Sequence, residues 1–142
     1  MENLKGYIKF DKLVKPAITP GGLVLTSEAS YSMAGYSKGS VLIPANLADG
    51  HTLTAQLWCC LDAALGTPSV VTSFSKVLTG TAAMSSFLGC IDFDAMDLTK
   101  ISSLKYFVYV ILTASHAGDW ASALLLRAGA RDYAPGTSGE LA

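Results

Sequence analysis

Tyr106-Phe107-Val108-Tyr109-Val110-Ile111-Leu112, then Ser115-His116-Ala117-Gly118-Asp119, then Ala121-Ser122-Ala123-Leu124-Leu125-Leu126-Arg127, is the stretch on which the fold turns. β-Branched and aromatic residues crowd the first run, and Gly and Asp interrupt the pair. The pattern predicts two long strands joined by a turn, a hairpin at the core. The first run is apolar at odd and even positions alike. That suits a central strand covered on both faces, or one with a face given to a partner.

Working outward, short apolar segments alternate with turn signals. Leu23 to Thr26, Ser40 to Ile43, Leu53 to Leu61, Val70 to Leu78 and Phe87 to Phe93 read as strands. The breaks hold Gly35 and Gly39, Asp49-Gly50, Gly66 with Pro68, and Gly80. In Leu53 to Leu61 the odd positions Leu53, Ala55, Leu57, Cys59 and Leu61 form one apolar face. In Phe87 to Phe93, Phe87, Ile91 and Phe93 oppose Leu88, Cys90 and Asp92, with Asp94 continuing that outer row. A short helical turn fits only between Asp94 and Leu104, with Asp97 as its cap. Repeated strands without amphipathic helices predict an all-β protein, an antiparallel β-sandwich or jelly roll with an extended N-terminal arm. The arm is residues 1–22, where Lys5, Lys9, Lys12 and Lys15 lie among apolar residues and Pro16 ends any regular element. The sandwich is 23–135, and 136–142 a flexible tail.

Bulk composition narrows the function classes. Charged residues make up 15% of the chain and hydrophobic ones 51%, against roughly 25% charged in ordinary soluble domains. So few charges suggest an exterior partly covered by other subunits, or a neutral Ser/Thr/Gly surface. A net charge of -1 argues against a nucleic-acid binder, which needs clustered cations to neutralise phosphates. The apolar run Tyr106 to Leu112 is far shorter than a membrane-spanning helix, and Met1 to Lys5 lacks the apolar core of a secretory signal, so a cytosolic start and no membrane association are expected. Cys59, Cys60 and Cys90 read as buried thiols in a reducing compartment, without a disulfide framework.

Candidate chemical motifs are weak. Gly35-Tyr36-Ser37-Lys38-Gly39 matches the G-x-S-x-G of a nucleophile elbow, which needs a strand before the serine and a helix after it. Here a strand that ends at Pro44 follows instead, so a serine hydrolase using Ser37 with His51 or His116 is a remote alternative. Ser73-Phe74-Ser75-Lys76 matches S-x-x-K, but in a strand residues three apart face opposite sides. His51 and His116 lie in turns beside Asp49 and Asp119, each lacking a third group, and read as surface residues. Asp92 and Asp94 read as a hydrated edge row. No catalytic residue, cofactor or metal site is expected.

Beyond the residues taken singly, Gln56-Leu57-Trp58 followed by Asp62-Ala63-Ala64 and Gly66-Thr67, then Tyr109-Val110-Ile111-Leu112-Thr113-Ala114-Ser115, then Ala123 to Arg127 and Ala130-Arg131-Asp132-Tyr133-Ala134-Pro135 resemble small head proteins of tailed bacteriophages. Those are encoded near the major capsid protein, and some are decoration or cement proteins. The resemblance covers residues 50–136 and implies a β-rich, non-enzymatic protein on the outer surface of a phage head, made in the host cytoplasm and carried in the virion. The implied partners are the major capsid protein and other copies of the chain, with a trimer at threefold positions as one arrangement. Lys5, Lys9, Lys12, Arg127 and Arg131 are the expected partner interface, the two arginines sharing a strand face and pairing with an acidic shell. A neck, tail or receptor-facing virion component is the alternative.

Overall fold

The computed structural model describes residues 8–19, 24–27, 29–83, 85–101 and 104–130. Nine strands form in chain order: β1 (Ile8–Ile18), β2 (Val24–Thr26), β3 (Tyr31–Ser32), β4 (Tyr36–Asn46), β5 (Thr52–Cys60), β6 (Ser69–Thr79), β7 (Ser86–Asp94), β8 (Phe107–Ala114) and β9 (Trp120–Ala130). A single helical turn, α1 (Ala95–Thr99), follows β7. The Asp97 carboxylate accepts the Asp94 backbone N–H at 2.8 Å, so Asp97 supports the start of this turn from inside it. The pairings among the described residues are antiparallel and form two sheets, one ordered β1-β9-β4-β7, the other β2-β8-β5-β6 with β3 also on β8. The chain crosses between sheets at every connection except β2 to β3 and β5 to β6, which is the winding of a jelly roll.

The core lies between the sheets and follows the period-2 alternation. Leu53, Ala55, Leu57 and Cys59 of β5 and Val108, Val110, Leu112 and Ala114 of β8 face Val41, Ile43, Ala45, Ile91, Phe93, Ala121, Ala123 and Leu125 of the other sheet. Gly39 allows a close approach within this layer: a side chain there would collide with the Phe93 ring.

The structure corrects four expectations. β8 and β9 are not a hairpin, because they belong to different sheets. Each is central, β8 between β2/β3 and β5, β9 between β1 and β4, so neither has a free edge for the other. Residues 8–18 are not an arm beside the sandwich but its edge strand β1, in register with β9 from Ile8↔Ala128 to Ile18↔Trp120. Pro16 does not stop the strand. The register shifts between Lys12 and Val14 and again between Val14 and Ala17, and an edge strand tolerates a missing N–H at such a bulge. Nor does Pro44 end β4, whose pairing with β9 lapses after Leu42 and resumes in the same register at Ala45.

β6 carries a larger irregularity. Gln56 pairs with Ser75 but Trp58 with Val70, so residues 71–74 loop out of the ladder. The Gln56 amide fills the gap, donating to Val71 O at 2.8 Å and Phe74 O at 3.0 Å. Two carbonyls that would otherwise lack ladder partners are thereby satisfied.

Candidate functional site

The residues expected at a partner interface separate in the structure. Lys5 and Arg131 lie outside the described residues. Lys9 and Lys12 are exposed on β1, on either side of Phe10, which is 64% exposed. Arg127 is a correction: it is 7% exposed and turned inward. Its Nη1 donates to Ser32 O at 2.6 Å, its Nη2 donates to the Asp11 carboxylate, and its guanidinium lies 4.9 Å from the Tyr36 ring centre and 5.7 Å from that of Tyr31. Such a fork stacked on aromatic rings closes one end of the sandwich. A charge already matched by Asp11 is not offered to an outside surface.

The outer face of the β1-β9-β4-β7 sheet reads across in rows. Phe10 pairs with Leu126, Leu126 with Ser40 and Ser40 with Asp92. The next row is Lys12, Leu124, Leu42 and Cys90, and Leu88, exposed beside Pro44, belongs to the row after. The middle of the face is thus apolar, with lysines along the β1 edge. Charges on the β7 side are met locally, Lys38 pairing with Asp94 at 3.0 Å. Asp92 accepts Ser40 Oγ at 2.7 Å and Cys90 Sγ at 3.1 Å. These bonds, that from Ser40 first, hold its carboxyl below the usual carboxylate range. Cys90 is accordingly exposed, unlike the buried Cys59 and Cys60. Burial pushes the Cys59 thiol and the Tyr109 phenol up from their ordinary values.

At the end of the sandwich opposite Arg127 the structure joins residues that the sequence keeps apart. The His51 and His116 rings stack at 3.8 Å with planes 10° apart. His51 Nδ1 lies 2.8 Å from Asp119 Oδ2, and Asp119 Oδ1 accepts the Ala48 N–H at 3.0 Å. His116 Nδ1 lies 2.8 Å from Ser115 Oγ, which accepts the Thr52 N–H at 2.8 Å. Thr19 Oγ1 donates to His116 O and accepts the Asp119 N–H. The cluster ties the end of β1, the β4–β5 connection and the β8–β9 connection together. The hydroxyl and the carboxylate engage different imidazoles, so they do not form one Ser-His-Asp relay. His51 is half-buried rather than a surface residue.

The other sequence motifs fall on strands. Ser37 is the second residue of β4, which continues to Asn46 without a following helix. Ser73 and Lys76 are exposed on β6. Among the described residues no group of three or more His, Cys, Asp or Glu is arranged to hold a metal ion, and no helix is long and apolar enough to cross a membrane.

No protein-family model matches the chain, and no curated protein matches it either. Solved structures do. A chain of the infectious bursal disease virus Gx strain superposes with a TM-score of 0.52 and 16% identity over 91% of this chain. One of the VP2 subviral particle of the same virus does so with 0.50 and 15% over 87%. A 4-O-methyl-α-glucuronidase with specificity for decorated arabinogalactans follows at 0.46 and 16%, over 87% of this chain and 17% of its own. The chain spans about a third of the length of the two viral proteins, 33% and 32%. At these identities the likeness speaks for the fold alone, a two-sheet antiparallel β-sandwich.

Proposed function

We propose that this protein is a structural component of a virus particle, and more narrowly a decoration or cement protein on the outer surface of a phage head. The observation that carries the reading is the edge of the first sheet. Phe10, 64% exposed, heads the outer row that continues into Leu126, Lys12 heads the next row with Leu124, and Lys9 is exposed on the same edge strand. An apolar strip with cations along its edge strand fits a partner surface with an apolar groove and an acidic margin. The jelly roll and the phage-head resemblance of residues 50–136 support the capsid setting, with the major capsid protein as partner and self-association on the shell. A protein that adds contacts across subunit boundaries raises the stability of the assembled state alone.

The test is attachment. Purified protein is mixed with undecorated heads assembled from the cognate major capsid protein, and bound protein is measured after sedimentation. Saturable attachment that raises the temperature of head disruption is expected. The triple variant Lys9→Glu, Phe10→Ser, Lys12→Glu should lose at least about 10-fold in affinity, since each 1.4 kcal/mol is a factor of ten. Absence of attachment by the wild-type protein contradicts the reading.

A further inference from the structure

We infer that the cleft beside Trp120 binds a neutral saccharide. This goes beyond the proposed capsid role and uses a different part of the molecule. The cleft has a volume of about 680 Å³ and lies at the end of the first sheet, by the β8–β9 connection. The row Trp120, Asn46 and Ser86 crosses it, fixed by the pairings Asn46↔Trp120 and Asn46↔Ser86. Trp120 is 37% exposed, and Pro44 and Phe87 add apolar lining.

Charge decides the ligand class. No Lys or Arg lines the cleft, so a phosphate or carboxylate would find no counterion there. The titratable group in the lining is Asp119, and both its oxygens are taken, by Ala48 N–H and by His51. A cationic ligand would therefore compete with bonds that hold the fold. Asn46, Ser85 and Ser86 line the cleft as well, and their side chains make no hydrogen bond to a described residue. An open indole beside an uncommitted amide and two uncommitted hydroxyls suits a molecule with an apolar face and a rim of hydroxyl groups. A sugar ring has both.

The platform is also held in place. Trp120 pairs with Ile18 on one side and Asn46 on the other. The residue before it, Asp119, is anchored at its N–H, carbonyl and carboxylate by Thr19, Ala48 and His51. Little ordering is left for binding to impose.

The test is an NMR titration of the intact protein with N-acetylglucosamine, methyl galactoside and cellobiose, each to about 50 mM, the range a millimolar site requires. At least one should move the Trp120 indole N–H signal saturably. Trp58, stacked on Tyr109 away from the cleft, is the internal control and should stay still. Trp120→Ala removes that reporter, so its effect is read at the Asn46 and Ser86 backbone amides, whose sugar-dependent shifts it should abolish. Asn46→Ala should weaken binding about 10-fold, a loss of one strong hydrogen bond. The Trp58 signal should be unchanged in both variants, showing that the fold persists. Three results overturn the proposal. They are no Trp120-specific shift with any of the sugars, shifts that persist in Trp120→Ala, or loss of head attachment in Trp120→Ala without any sugar response in the wild type. Head attachment through β1 with no sugar response would leave the capsid reading intact and refute this one alone.

Discussion

Arg127 and Asp11 lie on adjacent strands but are 116 residues apart in sequence, and their side-chain exposures are 8% and 15%. Removing one partner of such a pair leaves an uncompensated charge, which costs about 3–5 kcal/mol. Arg127→Ala should therefore lower the urea midpoint substantially, while the double variant Asp11→Leu, Arg127→Met should recover much of the loss. Equal losses in both would contradict the packing described. Asp92 gives a pH prediction. Its carboxyl is held below its ordinary 3.8 in the folded state by Ser40 and then Cys90. A depressed folded value means stability present above the unfolded value and lost as pH falls through the folded one. Ser40→Ala should raise the Asp92 titration midpoint measured by NMR and shrink the loss of stability below pH 4. An unchanged midpoint would remove the role given to Ser40. None of these partnerships is legible in the sequence. Leu124, Leu125 and Leu126 are apolar at every position, so the run does not give the face of Arg127 or what stands across from it, and His51 and Asp119, 68 residues apart, are joined only by the fold.

Elements were more legible than their partners. β5 and β7 announce themselves through alternation and turn residues, and their faces follow the predicted rows. β1 is hidden for a physical reason: an edge strand shows one side to solvent, so Lys9, Lys12 and Lys15 are tolerated, and the bulge puts Leu13 and Val14 into the core consecutively, breaking the period of two. Hydrogen exchange separates strand from arm. Backbone amides of β1 that pair with β9 should exchange on the timescale of the β4 and β9 amides, slowed at least about 100-fold relative to free peptide, as buried ladder bonds are. Exchange at free-peptide rates over residues 8–18 would restore the arm. The hairpin expected for β8 and β9 failed because a strand that is apolar on both faces signals a central position but does not say in which sheet its neighbours lie.

At the scale of the molecule, the all-β class and the charge-poor exterior were readable, whereas the jelly-roll order depends on pairings between residues far apart in sequence. The apolar outer face of the first sheet gives that composition a location. Phe10, Leu88 and Ile18 are each more than 60% exposed, at 64%, 68% and 65%, and a monomer gains nothing from leaving them in water. The proposed function rests on likeness and on the exposed β1 edge, since attachment to a shell would use surface shape and has no required set of reactive groups. Electron cryo-microscopy of the intact particle tests the central claim most directly. Density for this jelly roll is expected on the outer surface of the head, with the β1 edge and Phe10 against the shell. Density for the chain in the neck or tail, or on the head with β1 facing solvent, would contradict it.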